Sequence, residues 1–202
     1  MQINVYKYIK KTGAEGPGQR FCLWVQGCSR HCKGCFAKET WTHSPNKIMT
    51  VNELFSLISA QKGIEGVTFL GGEPFEQAKP LAELAKKVKN TGFSVLTFTG
   101  NTYEELKNAR NEDYNELLSQ TDLLIDGGFE KEKFDLSRPW VGSENQRYIF
   151  LTDRYNEAEI KKYKNKIEVR IEKNGFVFIN GMGDFNAIER DLCLKCPSIS
   201  PR

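Results

Sequence analysis

The segment "GVTFLGG", followed by "EQAKPLAELAKKVKNTG" and then "FSVLTFTG", limits the architecture more than any other part of the chain. Two short apolar runs flank a stretch whose apolar residues recur at helical spacing and which ends at Gly92. That is a βαβ unit, which places its strands parallel and its helix across one sheet face. The alternation continues on both sides. "INVYKYI" and "FCLWVQ" read as strands separated by the turn-rich "GAEGPGQ". "TVNELFSLISAQ" opens with Thr50 and carries Glu53 three residues later, a capping-box signal ahead of a helical apolar face. Downstream come a helix "TYEELKNAR", strands "TDLLIDGG" and "QRYIFLT", a helix over 157–164, and closing strands "IEVRI" and "GFVFIN". The expected fold is α/β, a partial (β/α) barrel with a mainly parallel sheet and outer helices, and with ligands at the C-terminal strand ends. Residues 127–146 form the longest stretch without periodicity and are the best candidate for a functional loop.

At 202 residues the chain fits one main domain. The division expected is a core over 1–155 and a C-terminal extension over 156–202, packed on or completing that core and ending in a C-x2-C tail. A hydrophobic fraction of 39%, a charged fraction of 27% and no bilayer-length apolar run describe a soluble protein. With no signal-peptide pattern, a cytoplasmic location is expected and no membrane partner. The net charge is only +3, and the basic residues scatter over solvated helix faces, which argues against nucleic acid.

Six cysteines are distributed unevenly. Cys22, Cys28, Cys32 and Cys35 lie in the first 35 residues, and Cys193 and Cys196 near the end. Clustering of this kind favours metal or redox use over disulfides. In "GCSRHCKGCF" three thiols stand within eight residues, one short of a closed zinc site. Spacing alone fits either an iron–sulfur cube with one open iron or a zinc site completed by His31, His43 or Cys22. Gly27 and Gly34 allow the backbone to fold closely around an inorganic core. His31 reads as a solvent-facing loop residue, and Cys22, on a strand, as a small core residue. "CLKCP" is half a metal site, a redox dithiol or part of a partner-docking tail. No Ser/His/Asp or paired-carboxylate constellation is evident with only two histidines present.

The triplet C-x3-C-x2-C, here "CSRHCKGC", resembles the defining pattern of radical S-adenosylmethionine enzymes. The longer stretch "GPGQRFCLWVQGC" is similar to the signature of glycyl-radical-enzyme activases: Gly16, Gly18, Arg20, Gly27 and Cys28 match, while Trp24 stands where the pattern has phenylalanine. With "GCF", "LGGEP", "TFTG" and "DLLIDGGF", residues 1–155 resemble activating proteins of anaerobic ribonucleoside-triphosphate reductase. The resemblance implies one [4Fe-4S] cluster on Cys28, Cys32 and Cys35, and S-adenosylmethionine bound at the open iron. Its methionine amino group would meet Gly71, Gly72 and Glu73, and its adenine would lie near Gly34, Cys35 and Phe36. Implied too are reductive cleavage to a 5′-deoxyadenosyl radical, a glycyl radical on the partner reductase, and an electron donor such as flavodoxin or ferredoxin. Thr97, Thr99 and Asn101, at the end of a strand, suit either the carboxylate and ribose or simple capping. Asp126 and Asn145 are placed in the same cleft by position alone. The alternatives are a radical enzyme acting on a small molecule or peptide and, in another class, a zinc-binding interaction module or ferredoxin-like carrier.

Overall fold

The period-2 pattern of the buried strands explains how the molecule is layered. In this computed structural model, which describes residues 1–171, 173, 175, 177–183 and 190, seven strands form one sheet. They are β1 (Gln2–Thr12), β2 (Arg20–Val25), β3 (Lys47–Thr50), β4 (Gly66–Gly71), β5 (Ser94–Phe98), β6 (Leu123–Asp126) and β7 (Arg147–Phe150), in the order β3-β1-β2-β4-β5-β6-β7. The centre β2-β4-β5-β6 is parallel, as the βαβ pattern requires. The flanks β3-β1-β2 and β6-β7 are antiparallel. The edges β3 and β7 do not pair with each other, so the sheet is open.

Alternate residues of the central strands divide between two faces. Phe21, Leu23, Val25, Val67, Phe69, Val95 and Leu124 join one core with helices α1 (Val51–Ser59), α2 (Ala78–Lys89), α3 (Tyr103–Asn108) and α4 (Glu112–Gln120). In α2 this buries Leu81, Leu84 and Val88 completely, each contributing about 1.5–3 kcal/mol. The capping box at α1 is formed: Thr50 Oγ1 accepts from Glu53 N at 3.2 Å, and the Glu53 carboxylate accepts from Thr50 N at 2.7 Å. A 3₁₀ turn over Pro74–Gln77 precedes α2. The short helix α5 spans Glu157–Ile160, ending before the expected 164.

On the other face lie Cys22, Trp24, Leu70 and Phe98. Here β8 (Ile167–Ile171) and β9 (Val177–Gly181) pair with each other as a separate antiparallel hairpin instead of extending the sheet. The hairpin is held by Phe178 edge-on to Trp24 at 6.2 Å and by Glu168 accepting from Gly13 N at 2.9 Å. Cys193 and Cys196 lie outside the described residues.

Arg20, of the "GPGQR" segment, is fully buried on this face. A buried guanidinium requires acceptors on all sides. Arg20 finds Thr68 Oγ1 at 2.7 Å, Val67 O at 2.6 Å, Pro17 O at 3.2 Å, Ser94 Oγ at 3.0 Å and Tyr155 Oη at 3.1 Å. It ties the glycine-rich turn to β4, β5 and the segment after β7, so its role in the motif is to hold the strands together.

Candidate active site

The C-terminal ends of β2, β4, β5 and β6 converge, and the cysteine loop hangs from the first of them. The loop leaves β2 at Gly27, whose N–H donates to Thr40 O at 2.7 Å, and Cys28 N donates to Trp41 O at 3.1 Å. Ser29 N donates to Glu76 Oε1 at 2.7 Å, and Glu76 Oε2 meets His43 Nε2 at 2.7 Å. Burial opposes charge on Glu76, but the hydrogen bonds from His43 and Ser29 outweigh it and hold the carboxyl below its ordinary range. His31 is exposed, adopts φ 47°, and stacks on Trp41 at 4.6 Å.

Cys28, buried, and Cys32 and Cys35, half-buried, line one cavity of about 150 Å3 together with Gly71, Gly72 and Glu73. Burial pushes the Cys28 thiol up, partly offset by the backbone N–H groups of Arg30 and His31. Cys22 is fully buried on β2, as expected of a core residue. Neither Cys22, His31 nor His43 lines this cavity. Among the described residues no three His, Cys, Asp or Glu side chains converge on a single ion. Three thiols opening on one cavity suit an iron–sulfur cluster, whose usual ligands are thiolates. A second observation agrees: the indole Nε1 of Trp41, another lining residue, is buried with no partner among the described residues, leaving a donor for a sulfur acceptor.

The glycine pair works first on the protein itself. A Cβ at Gly72 would sit on the Gly27 carbonyl, and one at Gly71, where φ is +102°, would lie 2.7 Å from Trp24 Cα. This close approach lets Gly72 N donate to Val25 O and Glu73 N to Gly27 O, both at 2.8 Å, which binds the end of β4 to the root of the cysteine loop. Glu73 is buried. Its carboxylate accepts from Phe75 N at 3.0 Å, Thr99 Oγ1 at 2.8 Å and Gly100 N at 2.8 Å. Burial raises its pKa in spite of these donors and of nearby Arg30.

The remaining sequence candidates are dispersed. Thr99 lines the cavity, whereas Thr97 bonds Thr121 Oγ1 at 3.0 Å. Asn101 accepts from Arg30 Nη1 at 2.9 Å. Gly34 packs against Phe129 and Lys131. Phe36 is 63% exposed and lines an adjoining, larger cavity that Cys35 also lines. The Asp126 carboxylate is engaged by Tyr103 N at 2.7 Å and Arg147 Nη2 at 2.6 Å, and Asp126 is not among the residues lining either cavity. Asn145 donates to Gly128 O at 2.7 Å. The loop 127–146 contributes Phe129 and Gln146 to both cavities.

Arg30, Trp41 and Gly100 were not singled out by spacing, although "TFTG" and "DGG" carried a signal. A Cβ at Gly100 would meet Arg30 Cδ at 2.5 Å, and one at Gly128 would lie 3.4 Å from Cys32 Sγ. Gly100 thus makes room for the Arg30 side chain of the cysteine loop, whereas a Cβ at Gly128 would make only ordinary contact with Cys32.

Comparisons with known proteins agree with this geometry. A family model described as "4Fe-4S single cluster domain" matches residues 14–149. The anaerobic ribonucleoside-triphosphate reductase-activating protein of Enterobacteria phage T4 is 32% identical over 144 residues, covering 68% of this chain and 88% of that protein. Its counterpart from Vibrio cholerae is 32% identical over 152 residues, covering 71% and 96%. The pyruvate formate-lyase-activating enzyme of Staphylococcus epidermidis is 30% identical over 159 residues, covering 76% of this chain and 58% of that enzyme. The chain belongs to the 4Fe-4S single cluster domain family, among the radical S-adenosylmethionine activating proteins that its cysteine triplet resembles.

Proposed function

We propose that this protein is an iron–sulfur activase that cleaves S-adenosylmethionine reductively and places a glycyl radical on anaerobic ribonucleoside-triphosphate reductase. The observation that carries the reading is that Cys28, Cys32 and Cys35 open on one cavity with the Gly71-Gly72-Glu73 strand end. The names of the phage T4 and Vibrio cholerae relatives support the choice of partner.

Cys28, Cys32 and Cys35 would hold one [4Fe-4S] cluster, whose chemistry when bound is one-electron reduction of S-adenosylmethionine to methionine and a 5′-deoxyadenosyl radical that takes a hydrogen atom from the target glycine. The protein's part is positioning and exclusion of water. Glu73, fixed by three donors, holds the glycine edge in register and presents negative charge where a methionine ammonium would bind. Gly34, Cys35 and Phe36 form the rim for the adenine, and Thr99 adds a hydroxyl at the strand end. Asp126 supports the site at one remove by anchoring Tyr103 N of α3 and Arg147 to the end of β6. Phe98 and Phe129, shared by both cavities, give a radical few polar neighbours.

We further propose that the sheet curls as a partial (β/α) barrel, with residues 1–155 as the core and 156–202 as an extension packed on or completing it. The activase would work in the cytoplasm with a flavodoxin or ferredoxin as donor, independently of nucleic acid and membranes. Among the described residues no helix is long and apolar enough to cross a membrane.

The test is anaerobic mixing of the reconstituted protein, reductant and S-adenosylmethionine with the reductase. A glycyl electron paramagnetic resonance signal on the reductase is expected. S-adenosylmethionine cleavage with no such signal would overturn the choice of partner.

A further inference from the structure

The larger cavity, of about 310 Å3, adjoins the cysteine cavity and shares Cys35, Gly71, Phe98, Phe129 and Gln146 with it. One of its walls comes from β9 and the turn that follows, a segment beyond the 14–149 region matched by the family model. That wall is firmly placed. Phe178 packs on Trp24, and Lys7 Nζ stands 3.3 Å from the Phe178 ring centroid. Asn180 Nδ2 donates to Thr12 Oγ1 at 3.2 Å and to Glu15 Oε1 at 3.1 Å.

Those two bonds use both amide hydrogens of Asn180 and fix the orientation of the group. Its Oδ1 is then buried without a partner among the described residues, although Asn180 is only 4% exposed and lines the cavity. An unpaired buried acceptor is costly, so folded proteins rarely keep one without use. The same cavity presents Lys7 as a donor, beside the aromatic side chains of Trp24, Phe98 and Phe129. An occupant must therefore offer an N–H to Asn180, an oxygen to Lys7 and a surface that rests on aromatic rings. A peptide backbone at a small residue does all three.

We propose that the β8–β9 hairpin is a specificity wall for the activase, with Asn180 Oδ1 accepting a backbone N–H and Lys7 donating to a carbonyl of the peptide segment that carries the target glycine. The proposal rests on the activase reading, but its test reads binding rather than radical chemistry. Affinity of the full-length protein for anaerobic ribonucleoside-triphosphate reductase is measured for wild type, Asn180→Ala, Asn180→Ser and Lys7→Met. Asn180→Ala and Lys7→Met are expected to weaken binding about tenfold, and Asn180→Ser, which retains an oxygen acceptor, to recover part of the loss. Wild-type affinity in Asn180→Ala overturns the proposal. Hydrogen exchange on the wild-type protein covers the case of a variant that fails to fold: amides of 177–183 are expected to slow when reductase is added in excess. Unchanged exchange there overturns the wall even if a glycyl radical forms. A bound reductase that never acquires a glycyl radical overturns the activase reading and leaves the wall standing.

Discussion

Gly72→Ala tests whether the glycine pair serves to hold the cysteine loop. The added methyl would lie on the Gly27 carbonyl oxygen and 2.8 Å from its carbon, with backbone on both sides and no flexible side chain to yield. Ordinary carbon–carbon contact needs about 3.5–4.0 Å, so the end of β4 and the root of the loop must separate by about 1 Å. Two bonds span that seam, Gly72 N to Val25 O and Glu73 N to Gly27 O, both 2.8 Å. Overpacking costs about 1–3 kcal/mol, and a buried donor left unpaired costs a similar amount. Together they total roughly 2–6 kcal/mol, which for a domain of this size lowers Tm by roughly 4–24 °C. Cluster content after anaerobic reconstitution should fall as well, because Cys28 follows Gly27 directly. The control is Gly92→Ala, where a Cβ meets nothing within 4 Å but φ is +83°. That change should cost about 1–2 kcal/mol from backbone strain alone and leave iron content intact. Thermal unfolding and iron analysis on both variants decide the matter. A Gly72→Ala protein with wild-type Tm and full iron would show that the glycine pair does not hold the loop.

Three further outcomes are expected. Trp41→Phe removes the unpartnered indole donor and should shift cluster reduction about tenfold toward the oxidised form, or about 59 mV for a one-electron couple; an unchanged midpoint in a redox titration would contradict that role. Tyr155→Phe deprives Arg20, Ser94 and Glu65 of a shared hydroxyl and should cost about 1–3 kcal/mol in urea unfolding, whereas an unchanged midpoint would show the network to be dispensable. For Glu15, burial raises the folded-state pKa despite bonds from Asn180 and Gly181, so folding favours the protonated form. Stability from this group therefore falls as pH rises from the ordinary carboxylate range through the raised value. Glu15→Gln should gain on wild type over that interval and then level off, and a pH-independent difference would refute the assignment.

The parallel centre was legible because fully buried strands alternate with amphipathic helices, and each of those segments reappears as β4, α2 and β5. Pairing direction was not. β7 reads as another apolar strand, yet it runs antiparallel to β6 because residues 127–146 return the chain without a crossover helix. β3 escaped notice because "KIMT" is a four-residue edge strand with one buried residue, and α4 because it buries only Leu117 and Leu118. At the site, the cysteine spacing located the cavity. Spacing could not show that Glu73 is held by Phe75, Thr99 and Gly100, nor that Asp126 is committed to Tyr103 and Arg147. Those partners come from other strand ends and depend on register. The hairpin was read as two strands, but its position over Trp24 follows from side-chain packing that no local pattern encodes.

On this reading three thiols and the adjacent strand end form an S-adenosylmethionine-cleaving centre. The most direct measurement is 5′-deoxyadenosine formed after anaerobic iron–sulfide reconstitution, reduction and addition of S-adenosylmethionine, for wild type and for Cys28→Ala, Cys32→Ala and Cys35→Ala. Product is expected from the wild type and none from any of the three variants. Undiminished product from the variants would contradict this reading, as would a colourless, zinc-loaded wild-type protein that cleaves nothing.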